Sequence, residues 1–111
     1  MVSLNLQLEH CIANIQCSFT TKMPEDAYLY GSDGYIHIPK IHFGNRARLY
    51  DLNDRLVEDF HEGEENGFYY EAKEVISCIQ KGQTESAVCP LEMTLENARL
   101  FDQVLRGEGR D

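Results

Sequence analysis

The apolar residues of this chain recur with a period of about two up to residue 66 and of about 3.6 beyond it. That one switch limits the fold more than any motif does. A period of two marks strands that bury one face, and 3.6 marks amphipathic helices. Strands come first and helices last, with no alternation between them. The order excludes a βαβ sandwich of parallel strands and predicts an α+β fold.

Residues 2–8, VSLNLQL, place Val2, Leu4, Leu6 and Leu8 on one side. Residues 11–19, CIANIQCSF, place Ala13, Ile15, Cys17 and Phe19 on one face and Asn14, Gln16 and Ser18 on the other. The tight connection at His10 predicts a hairpin. In AYLYGSDGYIHIP, residues 27–39, two strand-like runs flank the turn signal Gly31-Ser32-Asp33-Gly34. If Gly31 lies opposite Gly34, Tyr30 meets Tyr35, Leu29 meets Ile36, Tyr28 meets His37 and Ala27 meets Ile38. One face then carries Ala27, Leu29, Ile36 and Ile38, which is core material. The other carries Tyr28, Tyr30, Tyr35 and His37, an amphipathic aromatic set suited to meeting a partner or a substrate. Pro39 ends that strand. Residues 41–52 read as a further hairpin around Gly44-Asn45. The acid-rich run 51–66 reads as a solvated loop with a short strand at 55–60.

Two helices follow. In GFYYEAKEVISCIQKG the stripe is Phe68, Ala72, Val75, Ile76 and Ile79, and Lys81-Gly82 is a stop signal. In PLEMTLENARLFDQVLRG it is Leu91, Leu95, Ala98, Phe101 and Leu105, with Pro90 placed in the first turn and Gly107 at the end. The expected architecture is a single domain over residues 1–111: a mostly antiparallel open sheet with both helices packed on one face. No helix remains for the other face.

Composition narrows the partners. The net charge is −9, which disfavours nucleic acid and anionic membrane surfaces. No basic-then-apolar leader and no membrane-spanning apolar run is present, so a cytoplasmic protein is expected. Cys11, Cys17, Cys78 and Cys89 form no CxxC pair and have the wrong spacing for zinc; they read as free, mostly buried thiols. The acidic run lacks the regular oxygen-ligand spacing of a divalent-ion site.

The connection GQTESAVCP, residues 82–90, is where chemistry and punctuation compete. Gly82 stops one helix, Pro90 starts the next, and Glu85 and Ser86 are expected to hydrogen-bond backbone N–H groups between them. Catalysis by Ser86 would need a base that no neighbour in sequence supplies. Glu71 lies beside the first apolar stripe and is expected to pair with an arginine or to cap a loop. His10, His37, His42 and His61 read as surface or strand residues; His37 is the best catalytic candidate because three tyrosines share its face.

The stretch from Gly67 to Gly107 resembles the C-terminal end of the Gfo/Idh/MocA oxidoreductases, in particular the dimeric dihydrodiol dehydrogenase branch. Tyr70, Glu71, Lys81, Gly82, Glu85, Ser86 and Pro90 carry the likeness, and residues 27–36 are similar to the family's glycine-x-x-glycine hairpin. The resemblance implies a substrate-binding and dimerisation domain of an NAD(P)-dependent enzyme acting on a sugar, cyclitol or diol. It implies a homodimer through the open sheet face, where Tyr28, Tyr30, Tyr35 and His37 would be interface residues or line a substrate face. It also implies a Rossmann half that holds the cofactor. This chain has no G-x-G-x-x-G, and neither the family's lysine-proline motif nor its aspartate–histidine stretch is found in it. No catalytic, cofactor-binding or metal residue can therefore be carried over, and the isolated chain is expected to bind no cofactor and to be inactive. The alternatives are a stand-alone dimerisation or binding module sharing the fold, and an enzyme of another kind in which His37 works with a carboxylate.

Overall fold

The structure is a computed structural model that describes residues 1–63 and 66–107 of the 111. Glu64 and Glu65 of the acidic run, and Glu108 and Gly109 after the last helix, lie outside the described residues. Six strands precede two helices, so the fold class is α+β. The chain divides into two compact units, Met1–Glu65 and Asn66–Asp111, and the change of period falls at their boundary.

In the first unit, β1 (Val2–Gln7) and β2 (Ile12–Cys17) make an antiparallel ribbon. Val2 faces Cys17, Leu4 faces Ile15 and Leu6 faces Ala13, so the apolar residues share one side. On the other side Asn14 Nδ2 donates to Asn5 Oδ1 at 2.7 Å. The ribbon is not hydrogen-bonded to the other strands, which form a second sheet. The sequence between them explains the break. The Ser18 hydroxyl accepts from the Thr20 and Thr21 N–H groups at 3.2 and 3.1 Å, turning the chain, and Pro24 has no N–H for a ladder.

The second sheet is a meander of β3 (Ala27–Tyr30), β4 (Gly34–Ile38), β5 (Arg46–Asp51) and β6 (Leu56–His61), each antiparallel to the next. The β3–β4 register pairs Tyr30 with Tyr35, Leu29 with Ile36, Tyr28 with His37 and Ala27 with Ile38, as the sequence predicts. Gly34 owes its place to the strand beyond: a Cβ there would overlap the Tyr50 carbonyl oxygen of β5.

At the next connections one expectation fails and another holds in part, since the short strand expected at 55–60 forms at Leu56–His61. Residues 41–43 form a turn, not a strand, and the hairpin that includes β5 pairs it with β4, Tyr35 opposite Tyr50 and His37 opposite Arg48. Lys40 and Gly44 adopt positive φ of 46° and 63°, which ends extended structure on both sides of that turn. The acidic run is also less of a loop than its charge suggests. β6 spans six residues of it, and the loop shrinks to a tight turn in which Asp54 takes φ 60°. The Asp51 side chain fixes that turn by accepting from the Asn53 and Arg55 N–H groups at 2.8 and 3.0 Å. One register shift, between Leu49 and Tyr50, leaves Val57 as an extra residue on β6.

In the second unit, α1 (Gly67–Gln80) begins where Asn66 Oδ1 accepts the Phe68 N–H at 3.1 Å. It ends in a Schellman motif. Gly82 sits at φ 68°, its N–H donates to the Ile79 carbonyl at 3.1 Å, and the Gln83 N–H donates to the Cys78 carbonyl at 2.9 Å. Then α2 (Leu91–Arg106) runs to Gly107, at φ 71°. Pro90 is the residue before the first turn, at φ −65° and ψ 154°, and not part of that turn. Among the described residues no helix is long and apolar enough to cross a membrane.

Cys78 is the one buried residue among those described. The expectation of mostly buried thiols is therefore wrong for Cys11, Cys17 and Cys89, which are exposed. Cys11 and Cys17 belong to the thin ribbon and its turn, and Cys89 to the helix connection. None of those places has a second layer within its own unit.

Candidate functional site

The β3–β4–β5 register assembles one aromatic surface from residues far apart in sequence. Successive strand residues alternate faces, so Tyr28, Tyr30, Tyr35, His37, Arg48 and Tyr50 fall on one side of the four-stranded sheet. Their rings form a continuous ladder. His37 stacks on Tyr28 with centroids 4.5 Å apart, Tyr28 on Tyr30 at 5.9 Å, Tyr30 meets Tyr35 at 5.9 Å, and Tyr35 stacks on Tyr50 at 5.0 Å. Tyr30 is 77% exposed and Tyr28 50%, so these faces are open to a partner. Offset ring contacts of this kind hold the phenols in fixed orientations, which lowers the entropy lost on binding.

Carboxylates anchor both ends of the ladder. His37 Nε2 shares a 2.8 Å hydrogen bond with Asp26 Oδ2, with side chains only 15% and 25% exposed. The other oxygen of Asp26 accepts the Lys40 N–H at 3.1 Å. Asp26 thus ties the start of β3 to the left-handed residue after β4. The His37 bond, followed by that N–H, holds its carboxyl below the usual range. At the far end the Tyr35 hydroxyl donates to Asp54 Oδ1 at 2.8 Å, which pushes its pKa up to about 12. Tyr35 is therefore a fixed hydrogen-bond donor at neutral pH and not a base. On β6, Asp59 accepts from Arg46 at 3.2 and 2.9 Å, and that pairing lowers its pKa.

His37 and Asp26 have the arrangement of an oriented imidazole, and among the described residues no serine hydroxyl or cysteine thiol is hydrogen-bonded to them. No group of three His, Cys, Asp or Glu among the described residues could hold a metal ion. A hollow at the Gly31–Gly34 turn, bordered by Leu29, Tyr30, Tyr35, Ile36 and Tyr50, is too open to enclose a ligand. The chemistry on offer is recognition by stacked rings and paired charges.

The second unit places the sequence motif residues differently from the expectation at two positions, Pro90, which precedes the first turn of α2, and Glu71. Glu85 Oε2 accepts the Leu91 N–H at 2.9 Å and so caps α2, supplying the acceptor that Pro90 lacks a side chain to provide. Ser86 Oγ accepts from the Val88 and Cys89 N–H groups at 3.0 and 3.3 Å and donates to Glu74 Oε1 at 2.7 Å. Glu71 is exposed, and among the described residues it forms no ion pair with an arginine and no loop-capping hydrogen bond. Glu74 has that position, because it shares the face of Cys78 one turn on, and Cys78 Sγ reaches it at 3.6 Å. The Ser86 and Cys78 bonds lower the Glu74 pKa, while burial and the same carboxylate raise the Cys78 thiol. A raised thiol pKa argues against a nucleophilic Cys78.

Asp26, Tyr50, Arg48, Asp54 and Glu74 were not legible as site residues. Tyr50 and Arg48 carried a signal, their alternation in β5, but it depended on placing the preceding turn correctly. Asp26, Asp54 and Glu74 carried none that distinguishes them from the neighbouring acids.

The three lowered carboxyls give a pH prediction. Asp26, Asp59 and Glu74 each have a folded value below the unfolded one. Their contribution is complete above the ordinary carboxylate range, about pH 4, and is lost as pH falls through the folded values. The urea midpoint is expected to fall progressively below about pH 4. A midpoint unchanged down to about pH 2 would contradict the three assignments.

No protein-family model, curated protein or solved structure matches this chain.

Proposed function

We propose that this chain is the substrate-binding and dimerisation domain of an NAD(P)-dependent oxidoreductase acting on a sugar, cyclitol or diol. The resemblance to the Gfo/Idh/MocA C-terminal end motivates the class. One observation carries the reading: an α+β chain presents an open antiparallel sheet whose one face is a five-ring ladder of His37, Tyr28, Tyr30, Tyr35 and Tyr50. Such a face gains from being covered, because exposed amphipathic rings in fixed orientations bury large area at little entropic cost. The covering partner in this reading is a second copy. In the helix connection Glu85 and Ser86 hold the loop by hydrogen bonds, which accords with the structural role this reading gives them.

Nicotinamide chemistry, NAD or NADP, belongs to a Rossmann domain that this chain does not supply. Titration of the chain with NADH and NADPH, followed by nicotinamide fluorescence, is expected to give no saturable change. Saturable binding would remove the division of labour at the centre of this reading. Sedimentation equilibrium of the same sample is expected to show a dimer. A chain that stays monomeric at high micromolar concentration would refute the homodimer.

A further inference from the structure

Two groups on the aromatic side of the sheet retain unused hydrogen-bonding capacity, and their charges are opposite. Arg48 Nε lies 3.9 Å from Asp59 Oδ1, beyond hydrogen-bond distance, because Arg46 already holds both oxygens of that carboxylate. The Arg48 side chain is 28% exposed, and its five N–H donors make no hydrogen bond among the described residues. Asp54 uses only Oδ1, for the Tyr35 hydroxyl, and is exposed. Two other carboxylates on this face are committed: Asp26 through both oxygens, to His37 and Lys40, and Asp59 to Arg46.

The two groups cannot readily satisfy one another within a chain. Tyr30, Tyr35 and Tyr50 are opposed in register and form one row across the strands. Arg48 lies on one side of that row, two residues before Tyr50. Asp54 lies on the other, in the turn after β5. Three strand residues separate Arg48 from the end of β5, roughly 10 Å before the turn begins.

Resting on the homodimer reading, we propose that Arg48 of each copy pairs with Asp54 of the other across a two-fold axis that runs along the Tyr30–Tyr35–Tyr50 row. Rotation about such an axis, in the plane of the contact, exchanges the two sides of the row and forms the pair twice. The tyrosines then occupy the centre and the charge pairs flank them, the usual division between an apolar centre and a polar rim. Each copy keeps its net charge of −9, and the two pairs offset the resulting repulsion locally by placing opposite charges in contact. Charge complementarity selects the second copy over a small anion: an isologous contact satisfies Arg48 and Asp54 together, whereas an anion leaves Asp54 unmet.

The test uses charge reversal and mixing, read by sedimentation velocity over a concentration series. Arg48→Asp alone and Asp54→Arg alone each place like charges together twice and are expected to weaken association at least about tenfold. An equimolar mixture of the two variants places opposite charges at both contacts and is expected to restore wild-type association. A mixture no tighter than either variant alone overturns the pairing, as does a single reversal without effect. Should far-UV circular dichroism show that Asp54→Arg fails to fold at its left-handed position, the neutral pair decides instead. Asp54→Asn keeps that backbone and the Tyr35 acceptor. Asp54→Asn and Arg48→Gln are then expected to weaken association equally, with the double variant no weaker than either; additive losses overturn the pairing. A wild-type dimer indifferent to these changes sinks the pairing alone, while a wild-type monomer sinks the homodimer beneath it.

Discussion

Gly34→Val is expected to destabilise the chain by about 3 kcal/mol, the range of a severe overpacking change. The reason lies on the adjacent strand. A Cβ at position 34 would overlap the Tyr50 carbonyl oxygen, with the Tyr50 carbonyl carbon and Asp51 Cα close behind. Those are backbone atoms of β5, held by the β4 and β6 ladders, and they cannot swing aside as a long side chain could. Relief requires β4 and β5 to separate at the Gly34–Asp51 pair, the entrance to the aromatic ladder. Gly31→Ala is the control. Its Cβ would meet the Gly34 carbonyl oxygen at 3.5 Å, an ordinary contact, and its φ is not positive. That change is expected to stay within about 0.5 kcal/mol. Urea midpoints of the two variants check the contrast, and equal midpoints would show that the close approach is not real.

On the homodimer reading proposed above, the double substitution Tyr28→Glu/Tyr35→Glu is expected to abolish self-association of the chain. Each change removes a ring from the ladder and inserts a charge into a surface that must lose its water. Desolvating an unpaired carboxylate costs several kcal/mol, and two such groups per copy meet their counterparts in the partner. Tyr35→Glu also sets a second carboxylate beside Asp54, where a hydroxyl donated before. The loss is expected to exceed about a hundredfold in dissociation constant. Wild-type association in this variant would place the interface elsewhere on the molecule.

The β3–β4 hairpin was legible residue by residue because Gly-Ser-Asp-Gly fixes the turn, and a period of two then fixes both faces. The helix limits were equally plain, since Gly82 and Gly107 are required at left-handed positions that end a helix. Residues 41–43 alternate as Ile, His, Phe, yet Lys40 and Gly44 in left-handed conformations fold them into a turn. The strand expected after Gly44-Asn45 is present as β5, but it pairs with β4 and not with 41–43, so Tyr50 and Arg48 were not legible on the aromatic face. The short strand expected at 55–60 forms one residue later as β6, where the adjacent acids Glu58 and Asp59 sit on an exposed edge strand that tolerates them. Glu71 and Glu74 could not be separated by sequence. Both lie near the apolar stripe of α1, and only the course of the following loop decides which one it reaches.

That loop has a mechanical meaning. Its start is sealed by the Schellman pair at Gly82 and Gln83, its middle is pinned by Ser86 to Glu74, and its exit is tied by Glu85 to Leu91. Three anchors over nine residues leave the joint no slack. The two helices are therefore coupled as arms of one bracket, and a residue gained or lost between Gly82 and Pro90 must snap at least one anchor. Segment length there is set by the reach of the Glu74, Glu85 and Ser86 side chains.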